Sequence, residues 1–401
     1  MTGAPRRHPP VQDWSTDYDL RDPDYVTAPY DIWRDLREGC PVARTGRLGG
    51  SVLPTRYDDV VAVAHDTATF SSVDTAVFPP PPGASLFVAP PITSDPPFHA
   101  EARRILLPQF GIAAVSRLEA RTRQIVTELL DALEGRDVAD AAADYAEHVP
   151  VRVIAHLLGI PEQDEPRFTD WVVRVLQDTG PDTERTRATA TRELLAYFGD
   201  VAAARRLEPG EDLVSALLDA ELDGAPLTDK HLQGTCALLL LAGIDTTWSM
   251  IASSLAYLAR TPVDRDRLVA DPSLLPQACE EFLRAFAPVT QARIATRDAA
   301  IGGCPVDAGS RVLLVFGAAN RDPAHFERPD EVDIDRTENR HLAFGVGIHR
   351  CIGSNLARME LQVAIGAWLE RFPQFRLVPD ATVTWAGEQI RSPHRVPVRL
   401  R

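Results

Sequence analysis

The sequence predicts a mainly α-helical protein, built as one large helix-rich domain with a minor β portion. From residue 99 to about residue 270, apolar residues recur with a helical period, in segments separated by glycine and proline breaks. After residue 288 the pattern changes to short strand-like runs and irregular loops, and one more helical segment follows. Neither an internal repeat nor a linker divides the 401 residues, so we expect a single domain.

The predicted elements follow one another along the chain. Residues 1–28 are polar and proline-rich, and we expect a loosely held arm there, ahead of one domain over residues 29–401. Besides the long helical region, which breaks at 159–161, 180–181, 209–210 and 224–226, helices are predicted at 29–38, 58–65, 273–287 and about 352–371. Strands are predicted at 42–44, 49–53, 293–296 and 311–315, with further strands and turns over 374–401.

Residues 73–97 form an unusual stretch. Its proline density excludes a helix interior, large apolar side chains lie between the prolines, and its only charges are Asp74 and Asp95. A long loop of this kind is more often functional than not, although packing against the core is the alternative.

Composition and charge narrow the class of protein. Hydrophobic residues make up 45% and charged residues 25%, which excludes wholesale disorder, and the net charge of −15 argues against nucleic-acid binding. The longest notable apolar run, at 237–244, is far shorter than the ~20 residues of a membrane span, and no signal peptide is apparent. Five scattered cysteines without a CxxC pair fit a reducing compartment, so we expect a cytoplasmic protein.

One cysteine lies in a distinctive setting. The segment 344–353 reads FGVGIHRCIG, with three glycines around Cys351 just before an amphipathic helix. Glycines permit tight turns and close approach to a bulky flat group, and a helix N-terminus favours a thiolate. A thiolate suits a soft or borderline metal. A structural cysteine in a glycine-rich turn is the alternative, and the whole pattern disfavours it.

The longest predicted helix, from about 228 to 260, contains an acid and an alcohol side by side. It would extend roughly 50 Å, enough to cross a domain. Gly243 and two threonines near its middle are locally unfavourable, and the Thr246 hydroxyl can bond back to the Ala242 carbonyl. Asp245 with Thr246 is therefore a candidate proton relay, the alternative being a cap or a solvated acid.

Two further patterns are weaker. Glu281 and Arg284 share a helix face at i, i+3, a spacing common among surface ion pairs. His99 and Arg103 are at i, i+4 near the start of a helix, so both side chains can point at one anion.

The segment at 344–353 resembles the haem-ligand loop of the cytochrome P450 family, Phe-x-x-Gly-x-His/Arg-x-Cys-x-Gly. The segment at 242–247 is similar to that family's Ala/Gly-Gly-x-Asp/Glu-Thr pattern, and 281–284 to its Glu-x-x-Arg. The resemblance extends from the helix at 29 to the strand at 396–398. It implies the fold of bacterial soluble P450 enzymes, which is mainly α with small antiparallel β-sheets.

The resemblance also implies roles for individual residues. Cys351 would be the axial thiolate of haem iron, and Asp245 with Thr246 would handle protons. Glu281 and Arg284 would form a structural triad with Arg336. Residues expected to contact haem, including its carboxylates, are His99, Arg103, Arg293, Phe344, Gly345, His349, Gly353, Ala242 and Gly243. One departure is Phe98, where the family pattern leads us to expect an acid.

The implied activity is that of a monooxygenase with haem b and O₂, inserting oxygen into a small organic substrate by hydroxylation, epoxidation or dealkylation. Electrons would come from NAD(P)H through a separate ferredoxin or flavodoxin and its reductase, and we expect a monomer. Family mapping places these residues near the substrate: Phe78, Leu86, Phe87, Leu238, Leu241, Val289 and Ile390. Because this set carries no cation, it favours a neutral hydrophobic substrate.

Other functions are weighed against this one. A peroxide-driven or oxidative-coupling enzyme of the same fold is the first, although peroxide-driven relatives commonly replace the acid–alcohol pair that this chain keeps. A haem-based sensor or electron carrier would need an output module or a second axial ligand, and neither is visible. A zinc module on His349 and Cys351 lacks further ligands at suitable spacing.

Overall fold

The computed structural model describes residues 9–79, 87–178 and 182–401. The predicted pocket residue Leu86, part of the proline-rich stretch and the predicted break at 180–181 lie outside the described residues.

Helices dominate the described residues, as predicted. They are α1 (Trp14–Asp17), α2 (Pro23–Thr27), α3 (Pro29–Gly39), α4 (Tyr57–His65), α5 (Phe98–Phe110), α6 (Ile112–Asp131), α7 (His148–Leu157), α8 (Glu165–Val172), α9 (Thr183–Leu207), α10 (Leu213–Leu218), α11 (Asp229–Leu258), α12 (Pro262–Ala270), α13 (Leu275–Phe286), α14 (Phe316–Ala319) and α15 (Ser354–Arg371). Two π-helical segments, Ala142–Ala146 and Val173–Gln177, and short 3₁₀ turns supplement them.

The strands are short and form several small sheets. They are β1 (Val42–Thr45), β2 (Ser51–Pro54), β3 (Phe70–Ser71), β4 (Val138–Asp140), β5 (Glu221–Leu222), β6 (Ala225–Pro226), β7 (Thr290–Ala295), β8 (Ala299–Ile301), β9 (Cys304–Val306), β10 (Arg311–Val315), β11 (Arg376–Leu377), β12 (Thr384–Ala386), β13 (Ser392–Arg395) and β14 (Pro397–Arg399). The largest sheet has the order β1-β2-β10-β7-β3, and its pairings are antiparallel except β10 with β2. The predicted fold class is confirmed, with that one parallel pairing as a difference.

Helix α11 is the central element of the core. Thr228 caps its N-terminus, the side chain accepting from the His231 amide at 3.2 Å, and the helix then passes between α7, α9, α13 and α15. Helix α11 is apolar on nearly every face, because these helices surround it. The middle of the helix is therefore fixed by packing on all sides. By length and composition α11 could also cross a membrane, but most of its apolar stretch is buried within the protein, as in a core helix.

The prediction of a loosely held arm is wrong for residues 9–28. Tyr18, Leu20 and Tyr25 are buried in a cluster with Trp33 of α3, and the Trp33 indole donates to the Tyr25 hydroxyl at 3.0 Å. The polar, proline-rich composition concealed these few aromatic anchors. The single domain over residues 29–401 remains a prediction.

A buried charge cluster ties α13 to the loop that precedes α15. Both Glu281 and Arg284 are fully buried, with the guanidinium donating to both carboxylate oxygens at 2.7 and 2.8 Å, and Arg336 donates to Glu281 at 3.0 Å. Arg284 also donates to the Asn320 carbonyl at 2.9 Å, and the Asn320 side chain accepts from the Leu342 amide at 2.6 Å. The three predicted residues therefore meet and hold the chain that leads to Cys351.

Candidate active site

The segment before α15 is a tight loop that exposes Cys351 to a cavity. The Cys351 amide donates to the Phe344 carbonyl at 2.7 Å and the Gly345 amide to the Leu342 carbonyl at 2.8 Å. Gly347 has a positive φ, and a Cβ there would lie 2.8 Å from the Ala64 carbonyl oxygen. Glycine is therefore required at Gly347 both by its φ and by its close approach to α4.

The Cys351 thiol has opposing influences on its pKa. Burial raises the pKa, whereas the Gly353 backbone N–H and the charges of Arg103, Arg350 and Arg358 lower it. Burial is the larger effect, so the pKa of the free thiol is raised above its ordinary value, contrary to the simplest expectation from the sequence. A bound metal cation would supply the missing positive charge.

Four predicted contact residues, two histidines and two arginines, form a cluster of hydrogen-bonding groups beside this loop. The His99 and His349 rings lie 4.2 Å apart, and both Nε2 atoms are buried without a hydrogen-bond partner in the described part of the chain. Arg293 is 2% exposed and donates to the Ala292 carbonyl at 2.8 Å, while Arg103 donates to the backbone of the cysteine loop.

The electrostatics of this cluster require an anion. Burial, with the charges of Arg293, His99 and Arg103, lowers the pKa of His349 to about 3, and burial lowers that of Arg293 to about 10. Asp95 lies near enough to act on His99 and Arg293, but Ser71 and the Ser72 amide already bind its carboxylate. Buried cations with unused donors are stable only with an anionic partner, and the two carboxylates of haem provide one. The residues present therefore fit haem.

A cavity of about 1050 Å³ opens above Cys351. Ligand pockets for small molecules measure roughly 300–1,000 Å³, so this one lies at the upper end of the range and can accept a large group. All six predicted pocket residues that lie within the described ranges line it, namely Phe78, Phe87, Leu238, Leu241, Val289 and Ile390. So do the predicted contact residues Arg103, Phe344, Gly345, Gly353, Ala242 and Gly243.

The middle of α11 forms one wall of the cavity. The Thr246 hydroxyl donates to the Ala242 carbonyl at 2.7 Å, which is the back-bond predicted from the sequence. Because the hydroxyl hydrogen is used in this way, the oxygen lone pairs remain available as acceptors on the cavity side. Gly243 lets Ile154 of α7 pack closely, since a Cβ there would lie 2.9 Å from its Cδ1.

Asp245 is completely buried behind this wall and has an uncharged partner. Gln177, at the end of the π-helical segment, donates its amide to the Asp245 carboxylate at 2.6 Å, and the other carboxylate oxygen has no partner among the described residues. Burial raises the pKa of Asp245 to about 7; the Gln177 hydrogen bond lowers it, and the charge of Glu147 raises it. Asp245 can therefore hold or release a proton near neutral pH. No sequence signal pointed to Gln177.

A second buried acid, Glu360 of α15, also lines the cavity. It is 2% exposed, one carboxylate oxygen has no partner in the ranges described, and burial raises its pKa to about 8. The one available signal was an acid on an otherwise buried face of the last helix.

Charged residues at the cavity also went unpredicted. Arg21, Arg187 and Glu388 all line it, although they lie far apart in the sequence. Phe98, the noted departure, begins α5, is 40% exposed and contacts the His231 ring at a centroid distance of 5.7 Å.

The helix-rich fold, a cavity-facing cysteine in a glycine loop, buried cations for two carboxylates and an acid–alcohol pair define the class of haem-thiolate oxygenases. Comparisons with known proteins agree. The family profile described as Cytochrome P450 matches residues 151–383. This chain therefore belongs to the cytochrome P450 family, whose members use haem and O₂, and it is a P450 monooxygenase.

Named relatives are similar along most of the chain. It is 37% identical to mycinamicin IV hydroxylase/epoxidase of Micromonospora griseorubida, covering 91% of this chain and 94% of that protein. It is 41% identical to nocardicin C N-oxygenase of Nocardia uniformis subsp. tsuyamanensis, over 86% and 88%. The crystal structure of CYP109E1 from Bacillus megaterium in complex with testosterone superposes with a TM-score of 0.86 at 30% identity, over 94% and 99% of the two chains.

We predict that Cys351→Ser abolishes the absorption signature of a thiolate-bound haem in the reduced, CO-treated protein. Of the cysteines in the chain, Cys351 is the one that opens on the cavity. Cys304→Ser, in β9 outside the cavity, is the matched control and should keep the signature. The same spectrum from Cys351→Ser would show that another group binds the iron.

Proposed function

We propose that this enzyme inserts one oxygen atom from O₂ into a hydrophobic small organic substrate, with electrons delivered by a separate ferredoxin or flavodoxin and its NAD(P)H-dependent reductase. The observation that carries the proposal is the meeting of Cys351, Thr246 and an apolar wall in one cavity. The named relatives, a hydroxylase/epoxidase and an N-oxygenase, support hydroxylation or epoxidation as the reaction type. We further propose a cytoplasmic monomer.

Each part of the site has a distinct task in this proposal. Cys351 would hold the haem iron, and His99, Arg103, Arg293 and His349 would bind the haem carboxylates. Bound haem supplies the activation of O₂ by reduction. The wall formed by Phe87, Leu238, Leu241, Val289 and Ile390 would keep the reacting part of the substrate in a dry, neutral environment.

Helix α11 supplies the two side chains that would handle protons. The Thr246 oxygen can accept a hydrogen bond from a water molecule in the cavity and hold it in place. Asp245, adjacent in sequence and buried with a pKa of about 7, can give up a proton and take it back. Positioned proton transfer of this kind contributes typically about 10²–10⁴-fold to a rate.

We predict that Thr246→Ala still binds haem and substrate and still consumes NAD(P)H, but releases most of the reducing power as hydrogen peroxide. Loss of the hydroxyl removes the acceptor that holds water, while helix packing is unchanged. The measurement is product formed per NAD(P)H consumed. Thr246→Ser restores the hydroxyl and should restore most of the coupling. Full coupling in Thr246→Ala would leave Thr246 with only its back-bond in the helix.

We predict that the turnover rate falls as pH rises through about 7, because Asp245 loses its proton there. In Asp245→Asn this step should disappear from the pH profile, together with about 10²-fold of the rate. In Gln177→Leu the lost hydrogen bond raises the pKa of Asp245, so the step should move to higher pH. A pH profile that is the same in all three proteins would exclude Asp245 as the titrating group.

The redox partner would dock on the surface behind the cysteine loop. Arg350 is exposed there, whereas Arg358 is bound by Glu280 at 2.6 and 2.8 Å and lies 4.6 Å from the Phe344 ring centroid. Arg104 is exposed but pairs with Glu101. Of these three arginines near the loop, Arg350 is thus the one whose side chain is best placed to meet an acidic partner.

We predict that Arg350→Glu lowers the rate of reduction by an acidic ferredoxin about tenfold at low salt and weakens its salt dependence, because a local positive patch steers association. Arg376→Glu, an equal charge change in β11, should have little effect. Stopped-flow reduction under CO measures both. An unchanged rate in Arg350→Glu would place docking elsewhere on the surface.

A further inference from the structure

A cluster of three charged side chains, here called the charged corner, forms part of the cavity wall. Glu388, whose side chain is 3% exposed, lies between two arginines that also line the cavity. Its carboxylate is 2.7 Å from the Nε of Arg21 and accepts a short hydrogen bond from Arg187. The Arg21 guanidinium lies over the Phe78 ring, 4.1 Å from its centroid. Four segments that are distant in the sequence thus meet at one place on the cavity wall.

The corner carries an excess of positive charge. Two guanidinium groups share one carboxylate, which leaves a net charge of +1 on side chains that are mostly buried, with 17% and 26% exposure for Arg21 and Arg187. A charge in such surroundings acts more strongly than one in water.

Three of the other acids that line the cavity do not cancel this excess. Asp74 is neutralised by Arg311 at 2.6 Å. Asp182 pairs with Arg185, and both are largely exposed. Glu184 is exposed as well, so water screens its charge.

The corner also has more donors than acceptors. Each guanidinium carries five N–H groups. Among the described residues, the Nε atoms of Arg21 and Arg187 are buried without a hydrogen bond, and so is Glu388 Oε1, which lies 2.7 Å from the Arg21 Nε as an ion pair. Arg187 uses one nitrogen on Glu388 and on the Asp178 carbonyl. Phe78 covers a face of the Arg21 group, and the ten donors of the two guanidinium groups outnumber the acceptors that Glu388 and the Asp178 carbonyl offer them. A planar anion that accepts two hydrogen bonds matches these donors best.

We propose that the cavity binds an amphiphilic carboxylic acid, whose carboxylate is held by Arg21 and Arg187 and whose apolar body extends along the wall toward Cys351. The inference rests on the proposed function, since it places the reacting end of the substrate at the haem. It changes the substrate class from the one that the sequence favoured, which was a neutral hydrophobic substrate: the reacting part is neutral, but the far end is anionic.

The effect of removing the Glu388 charge distinguishes an anion site from an ionic latch and from a cation site. If the corner is only an ionic latch, that is, a set of ion pairs that joins segments of the chain, removing any one of its charges weakens the binding of every ligand. If Glu388 binds a cationic ligand, removing its charge weakens that ligand. If the corner binds an anion, Glu388 competes with the ligand for the arginines, and its removal strengthens binding.

The test is a titration of the ferric holoenzyme with three probes of equal chain length, dodecanoic acid, methyl dodecanoate and dodecyltrimethylammonium, at pH 7.5. Displacement of water from the iron and calorimetry are two independent readouts of Kd. We expect the acid to bind at least tenfold more tightly than the ester. Arg187→Gln and Arg21→Gln should remove this preference and leave the ester unchanged, whereas Glu388→Gln should tighten the acid severalfold. Arg192→Gln, an exposed arginine of α9, is the matched control.

Several results would overturn the inference. In the wild-type protein, equal Kd values for acid and ester, or tighter binding of the cation than of the acid, would contradict it. In the variants, weaker acid binding by Glu388→Gln, or weaker binding of both acid and ester by every variant, would contradict it as well. The reduced CO spectrum of each variant reports separately on the haem thiolate. A normal spectrum with no acid preference would refute the charged corner alone, whereas a wild-type protein without the thiolate signature would refute the proposed function itself.

Discussion

The 2.7 Å hydrogen bond from the Cys351 amide to the Phe344 carbonyl closes the loop on which the whole site depends. The loop can adopt this shape because Gly347 has a positive φ and lies close to the Ala64 carbonyl, where a side chain would not fit. The loop in turn is anchored through Leu342 and Asn320 to the buried pair of Glu281 and Arg284. Because a buried ion pair of this kind is costly to break, it is a rigid support for the loop that carries Cys351.

Helix α11 gives the site its second half. Its burial on all sides holds Thr246 at the cavity wall and Asp245 behind it, so one helix presents an acceptor to the cavity and keeps an acid in a dry environment. Pairing Asp245 with the neutral amide of Gln177, with no cation on its carboxylate, leaves the effect of burial largely uncompensated. Burial, offset only in part by this hydrogen bond, therefore puts the pKa of Asp245 near neutrality.

The residues in and around the cavity form chemically different groups. Arg103 and Arg293, beside His99 and His349, would bind the carboxylates of haem as proposed above, and the arginines beside Glu388 form the charged corner. Apolar residues such as Leu241 and Val289 line it as well. An enzyme that combines a dry reacting zone with a charged anchor can orient a flexible substrate, because one strong contact fixes the end that does not react.

The sequence by itself determined the fold class, most helix positions, the cysteine loop and the acid–alcohol pair, because these follow from local spacing, from glycine in tight turns and from short motifs. The back-bond of Thr246 was predictable because it joins residues four apart in one helix. Only the tertiary structure placed Gln177 on Asp245, gave Glu360 its burial and brought Arg21 and Arg187 to Glu388. It also turned the N-terminal segment into part of the core through Tyr18 and Tyr25. Such partners come from segments tens to hundreds of residues apart, so no periodicity or motif marks them, and their pairing is decided by how the helices and sheets pack.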